Sequence, residues 1–593
     1  MAGRTPGAAA LHYRVEIAST QEHLLRVSLR IDQPQASTEL SLPVWIPGSY
    51  LVREFSRHLQ RLSARQGRQV LEVEQLDKAR WRVAADPAKA LELSWEVYAF
   101  DNSVRTAWLD DARCFFNPTS VCPRVEGRHD APHALELPAP KSARGAARWE
   151  LATGLAPVKV DAQGFGSYLA ADYDELADSP VEMGAFWSGR FKAGGVAHRF
   201  VVAGATASFD GERLLADARR ICETQIRFWH GSRRPPFKSY VFLLNAVNEG
   251  YGGLEHRNST ALICERRDLP RLGEARLSDG YTTLLGLVSH EYFHTWSVKR
   301  LRPAEFQRYR YDAENYTRLL WFFEGFTSYY DDLLLRRSGV IEDAAYLRLL
   351  NKTINQVLQT PGRLVQSVAQ ASFDAWVKYY RQDENTPNAT VSYYTKGALV
   401  GLAFDLTLRS EGQGTLDDVM RGLWKRCAAG PMTEADFAAV LEAVGGRSYA
   451  REIAAWVHGT EDLPLRQLLE RHGVHISDDP AQPAQALGVR VTEAGGNVQV
   501  KMVLTGGVGS AAGLAAGDEW LAIELPAARG TTPEAWRIAK LEDLALYAGK
   551  AKRITAIVSR DKRLLRLPLA LPQGQTTWRL VLRDAPMLKA WLG

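Results

Sequence analysis

From Leu11 onward apolar and polar residues alternate with period two: Tyr13, Val15 and Ile17 against His12, Arg14 and Glu16, then Leu25, Val27, Leu29 and Ile31 on the next segment. Leu91, Leu93, Trp95 and Val97 repeat the pattern. Successive side chains of a strand point to opposite faces, so this alternation predicts half-buried strands. Proline and glycine punctuate the segments, as in "PVWIPGSY", and no long helical period appears before about residue 205. Residues 1–205 are therefore expected to form an antiparallel β-sandwich domain.

The period then changes. In "DGERLLADARRICETQIRFWHG" (210–231) apolar residues recur at helical spacing, and the apolar strand "SYVFLLNAV" (239–247) follows, which marks an α+β domain. Helical patterns dominate to about residue 475, among them "DGYTTLLGLVSHEYFHTWSV", "ENYTRLLWFFEGFTSYYDDLLLRRSG" and "TEADFAAVLEAVGG". Arg336 and Arg337 with Gly339 behind them form an expected helix end. The polar, proline-containing stretch "SDDPAQPAQ" (477–485) reads as a linker. Beyond it, "LGVRV" and "GGVGSAAGLAAGDEWLAI" return to short strands around a small-residue helix, so residues 477–593 are expected to be separable from the rest.

Composition narrows the function classes. A chain of 593 residues is too long for one core, and a net charge of +5 with only short basic clusters such as "KRLRP" argues against nucleic-acid binding. No stretch approaches 18 apolar residues, so no membrane span is expected, and no signal-peptide core precedes the first strand. Five scattered cysteines without a CxxC pair are expected to be reduced thiols, and the chain is expected to be cytoplasmic.

Candidate chemistry centres on "HEYFH" (290–294). Two His four positions apart share a helix face, so His290 and His294 can reach one metal ion with Glu291 beside them. A catalytic zinc needs a third protein ligand and a position left for water. Glu324, in the apolar run "WFFEGFTSYY", is a carboxylate whose burial would call for a cation or for pairing with a base such as Arg318. With these ligands a water on the zinc would approach a pKa of about 7, and Glu291 could take its proton. In "SYYTKGALVGLAFDL" either Tyr393 or Tyr394 could donate to the oxyanion. In "NEGYGGLEHRNSTALIC", Gly252 and Gly253 allow close backbone approach ahead of a short strand that could pair with an extended peptide. Glu255 could then meet a charged amine, or it could be a solvated residue of a plain hairpin.

The ordered signals GGLEH, HEYFH with WFFEG, and YYTKG resemble the thermolysin-like aminopeptidases, and more closely the glycyl aminopeptidase family that adds a C-terminal PDZ domain. "LPVWIPGSYLVREFSRH" (42–58) and "HTWSVKRLRP" (294–303) resemble that family as well. The resemblance implies a multidomain α+β protein: N-terminal β domain (1–205), thermolysin-like, mostly helical catalytic domain (206–476), PDZ domain (477–575) and tail (576–593). It implies one Zn2+ per chain on His290, His294 and Glu324, with Glu291 as general base and Tyr394 rather than Tyr393 as oxyanion donor. Glu255 matches the glutamate that binds the substrate's free amine, although relatives read GxMEN where this chain has Leu254 and His256. Leu487, Gly488 and Val489 resemble a PDZ carboxylate-binding loop. The implied activity is removal of small N-terminal residues, Gly or Ala, from peptides, and the implied PDZ partners are protein or peptide C-termini. Two other readings stay open: an endopeptidase that recruits protein C-termini through the PDZ domain, and a peptide-binding scaffold with a structural zinc.

Overall fold

The computed structural model describes residues 11–140, 149–527 and 530–593, and the chain divides into two compact units. The first comprises residues 1–316, 330–341 and 423–433, the second 317–329, 342–422 and 434–593.

In the first unit the alternating segments are strands with one face in a common core. Leu11, Tyr13 and Val15 are buried together with Leu25, Val27, Leu29 and Leu93, while the residues between them face outward. They belong to an eight-stranded sheet, and two four-stranded sheets complete the β-rich domain around one core cluster. One pair departs from the expected antiparallel pattern: Leu11–Ser19 runs parallel to His133–Leu137. These two strands are more than a hundred residues apart, so no hairpin turn dictates their direction.

A separate five-stranded sheet follows. We label its strands β1 (Trp187–Ala193), β2 (Val196–Ala203), β3 (Ser239–Val247), β4 (Gly252–Glu255) and β5 (Ser259–Glu265), in the spatial order β1-β2-β3-β5-β4. The sheet thus begins ahead of the boundary expected at residue 205. Strand β4 lies at its edge, antiparallel to β5, with one side left unpaired. Helix α1 (Gly211–His230) is capped by Asp210, and α2 (Asp279–Phe293) by Ser278, whose hydroxyl accepts from the Tyr281 amide at 3.1 Å.

In the second unit the apolar run before Glu324 is a short helix, and α3 (Gly325–Arg337) starts directly after it, so the expected single helix is interrupted at Glu324. Helices α4 (Asp343–Leu358) and α5 (Thr395–Glu411) follow. A β-carbon at Gly397 on α5 would lie 2.6 Å from the Trp321 carbonyl oxygen and 2.9 Å from the Gly325 α-carbon. Only glycines let these backbones approach so closely, which explains the "EG" and "KG" pairs.

The C-terminal residues correct one expectation. Ser477–Pro480 is not linker but part of the strand Val474–Pro480, paired antiparallel with Thr576–Leu582. The tail strand is gripped in turn by α4, where Asn355 donates to the Trp578 carbonyl at 2.7 Å and accepts from its amide at 2.9 Å. The final helix α6 (Ala585–Leu592) buries Leu588, Trp591 and Leu592. A polar, proline-bearing sequence reads as linker because its strand partner lies about a hundred residues downstream, beyond any local pattern. Between these two strands, residues 489–570 form a sheet with its own apolar core around Trp520, Ile523, Ile554 and Val558. Among the described residues no helix is long and apolar enough to cross a membrane.

Candidate active site

Helix α2 presents His290 and His294 on one face, with Nε2 atoms 3.1 Å apart. The Nδ1 of His294 lies 2.8 Å from the Ser297 carbonyl, which can only accept, so Nδ1 carries the proton. The Nδ1 of His290 lies 2.9 Å from Asp331 Oδ2 on α3. Burial raises the Asp331 pKa, against which the His290 hydrogen bond acts. With both Nδ1 positions turned to outer acceptors, the two Nε2 atoms converge and, in the neutral imidazoles, both can offer lone pairs to one cation. Outer acceptors on each Nδ1 are the usual support of metal-bound imidazoles. The residues present therefore fit a metal ion.

The turn after α2 aims these partners. Val298 has φ of 96°, costly for a β-branched residue, and its amide donates to the Leu301 carbonyl at 2.8 Å. The strained turn directs the Ser297 carbonyl to His294 and the Lys299 ammonium to Asp178 Oδ1 at 2.9 Å.

Glu291, 5% exposed, faces strand β4. A β-carbon at Gly253 would lie 2.1 Å from Glu291 Oε1, so any larger residue here would displace the Glu291 carboxylate. Glu255 shares that face of β4 by strand alternation, and one ligand atom from each of Glu255, Glu291 and His294 lies within 4.8 Å of the others. Over Glu255 closes the turn at "IPGSY": Gly48 has φ of 97°, and a β-carbon there would stand 2.5 and 2.6 Å from the two Glu255 carboxylate oxygens. His256 points away from Glu255. Its Nδ1 is 3.1 Å from Asp178, and burial lowers its pKa, with Asp178 opposing. Burial would raise the Asp178 pKa, but Lys299, His256 and Arg257 hold it far below the usual carboxylate range. Lys299 and His256 thus hold Asp178 as an ion-paired carboxylate beside β4.

In the second unit Glu324 is 2% exposed at the head of α3. Tyr394, immediately before α5, has its hydroxyl 3.4 Å from that of Tyr380. Burial raises the Tyr394 pKa, and the Glu324 charge adds to this, so phenol and carboxylate share one neighbourhood. Tyr393 is fully buried and stacks on Tyr394 with centroids 4.8 Å apart. Lys396 of the YxKG pattern points elsewhere and donates to the Arg363 carbonyl at 3.2 Å. In the C-terminal sheet, Gly488 has φ of 68°, and a β-carbon there would meet the Gly507 α-carbon at 2.9 Å. Its amide donates to the Gln485 carbonyl, so packing and a helix end account for this glycine. Asp331, Gly48 and the Asp178–Lys299 pair escape a reading of the sequence. Only Asp331 left a signal, as a carboxylate two helical turns beyond Glu324.

Residues 12–185 match the model of the peptidase M61 N-terminal domain, and residues 283–400 match that of the M61 glycyl aminopeptidases. A solved aminopeptidase N family protein from Idiomarina loihiensis is 36% identical, covering 98% of this chain and 100% of its own, with a TM-score of 0.91. An M1 zinc metallopeptidase from Deinococcus radiodurans is 14% identical, covers 77% of this chain and 94% of its own, and has a TM-score of 0.46. No curated protein matches. A β-rich domain followed by paired imidazoles on one helix face, both sequence matches and the likeness along nearly the whole length lead to one assignment: the chain belongs to the M61 glycyl aminopeptidase family and is a metallopeptidase.

Proposed function

We propose that the protein is a zinc-dependent aminopeptidase that removes small residues, Gly or Ala, from the N-terminus of peptides. His290, His294 and Glu324 are the residues that would hold one zinc ion. Glu324 heads α3 two helical turns before Asp331, hence on the same face as the residue that orients His290. The ion, when bound, supplies a Lewis acid that polarises the scissile carbonyl and lowers the pKa of water toward about 7. Glu291 takes the proton of the attacking water and holds it for the departing amine. Tyr394 donates its phenolic proton to the developing oxyanion, and the substrate backbone lies along the open edge of β4.

The observation that carries the exopeptidase reading is the Gly48 turn against Glu255. Glu255 is buried at the end of β4 on the face it shares with Glu291, and the Gly48 turn packs against its carboxylate, so an acidic group stands beside the general base where an amine would be bound. The wild-type enzyme is expected to cleave free alanyl peptides and to ignore N-acetylated ones. Glu255→Ala is expected to reduce cleavage of the free peptides by about tenfold or more, the loss of one charge-assisted hydrogen bond, without loss of metal. Equal cleavage of acetylated and free substrates would reject the aminopeptidase reading in favour of an endopeptidase.

Tyr394→Phe is expected to lower kcat by about a hundredfold with little change in KM, since a donor to the oxyanion acts in the transition state. A larger effect from Tyr393→Phe, measured on the same substrate, would move the role to the buried neighbour. Residues 489–570 act as a PDZ module for peptide C-termini, supported by the unpaired edge of the strand Val489–Ala494. The scattered cysteines support a cytoplasmic setting.

A further inference from the structure

Arg105 stands near the other end of β4. Its backbone amide is held by the Ser103 hydroxyl at 3.2 Å, but among the described residues its guanidinium has neither a hydrogen bond nor an ion pair, and its Nε is buried without a partner. A β-carbon at Gly252 would lie 3.9 and 4.0 Å from its two terminal nitrogens, so the guanidinium lies beside Gly252 on the face of β4 opposite to Gly253 and Glu255, from which its long side chain reaches the open edge of the strand. A half-buried arginine without a counter-charge is unfavourable and is what a planar carboxylate can satisfy with two parallel hydrogen bonds.

We propose that Arg105 binds the C-terminal carboxylate of short peptide substrates, and so makes the enzyme prefer tripeptides with a free acid end over longer or capped chains. The proposal rests on the aminopeptidase reading, which places the substrate amine at Glu255 and the scissile carbonyl beside Glu291 and Gly253. An extended substrate then runs along β4 from Glu255 past Gly253 toward Gly252. Three strand residues span about 10 Å at roughly 3.3 Å each, and an extended tripeptide from amine to carboxylate spans about the same. A carboxylate at its end therefore arrives beside Gly252, within the sweep of the Arg105 side chain. Glu255 and Arg105 form a charged ruler, negative for one terminus and positive for the other.

The test compares Ala-Ala-Ala with its C-terminal amide. For the wild-type enzyme KM for the acid is expected to be about tenfold or more below that of the amide, as for one lost charge-assisted contact. In Arg105→Gln the ratio is expected to fall to within about twofold of one, and in Arg105→Lys, which keeps charge but not the fork, to lie between. Equal KM for acid and amide in the wild type, which needs no variant to fold, overturns the proposal, as does an unchanged ratio in Arg105→Gln. Cleavage of both tripeptides at equal KM removes Arg105 alone. If neither is cleaved while N-acetylated peptides are, the aminopeptidase reading falls and Arg105 with it.

Discussion

Glu291→Gln is expected to reduce peptide hydrolysis by about a thousandfold, within the 10²–10⁴ range of a positioned general base, and to leave the metal content at about one ion per chain. The amide has the shape of the carboxylate, so the packing of Glu291 against Gly253 is preserved while the proton acceptor is lost. Neither His290 nor His294 depends on it, since their Nδ1 atoms are held by Asp331 and Ser297. His290→Ala is the counterpart: it removes an imidazole and is expected to release the ion, which elemental analysis of the purified protein reads directly. Near-wild-type turnover in Glu291→Gln would show that another group takes the proton and that this mechanism is wrong. Retention of full metal by His290→Ala would show that the ion sits elsewhere.

Removal of the tail, residues 576–593, is expected to cost the catalytic helices their stability, although these residues are the farthest in sequence from the metal-binding motif. Trp591 is fully buried, its indole 3.4 Å from the Tyr329 hydroxyl, and Tyr329 donates to Asp405 at 2.7 Å. Tyr329 lies on α3, five residues beyond Glu324, so the tail braces the helix at whose head the proposed third ligand sits. Trp591→Ala alone leaves a large cavity and is expected to cost about 3–5 kcal/mol. Truncation also strips Asn351 and Asn355 of their backbone partners in the tail strand. Thermal unfolding together with metal content checks both variants: an early transition and weakened metal retention are expected. A truncated protein with an unchanged transition and full metal would show that the tail is an ornament on the helices.

Much of this protein is legible from periodicity and spacing alone. The strands around Tyr13 and Val27, the helix bearing His290 and His294, and the buried setting of Glu324 follow from the periods of strand and helix, which act over a few residues and are written in neighbouring letters. Close-approach glycines are visible as letters, but their reasons are not. Gly397 meets Gly325 across two helices, and Gly253 meets Glu291 across a strand and a helix.

The letters alone carry the chemistry: the two imidazoles His290 and His294 with the Glu291 carboxylate on one helix turn, small residues where backbone must pass, and the order of the motifs. The tertiary structure alone decided who stands behind that chemistry. Asp331 behind His290, Gly48 over Glu255, the Asp178–Lys299 pair and the tail strand against α4 all join residues tens to hundreds of positions apart. Such pairs are chosen by packing and by the cost of leaving a buried charge or amide unpartnered, and neither leaves a period in the chain.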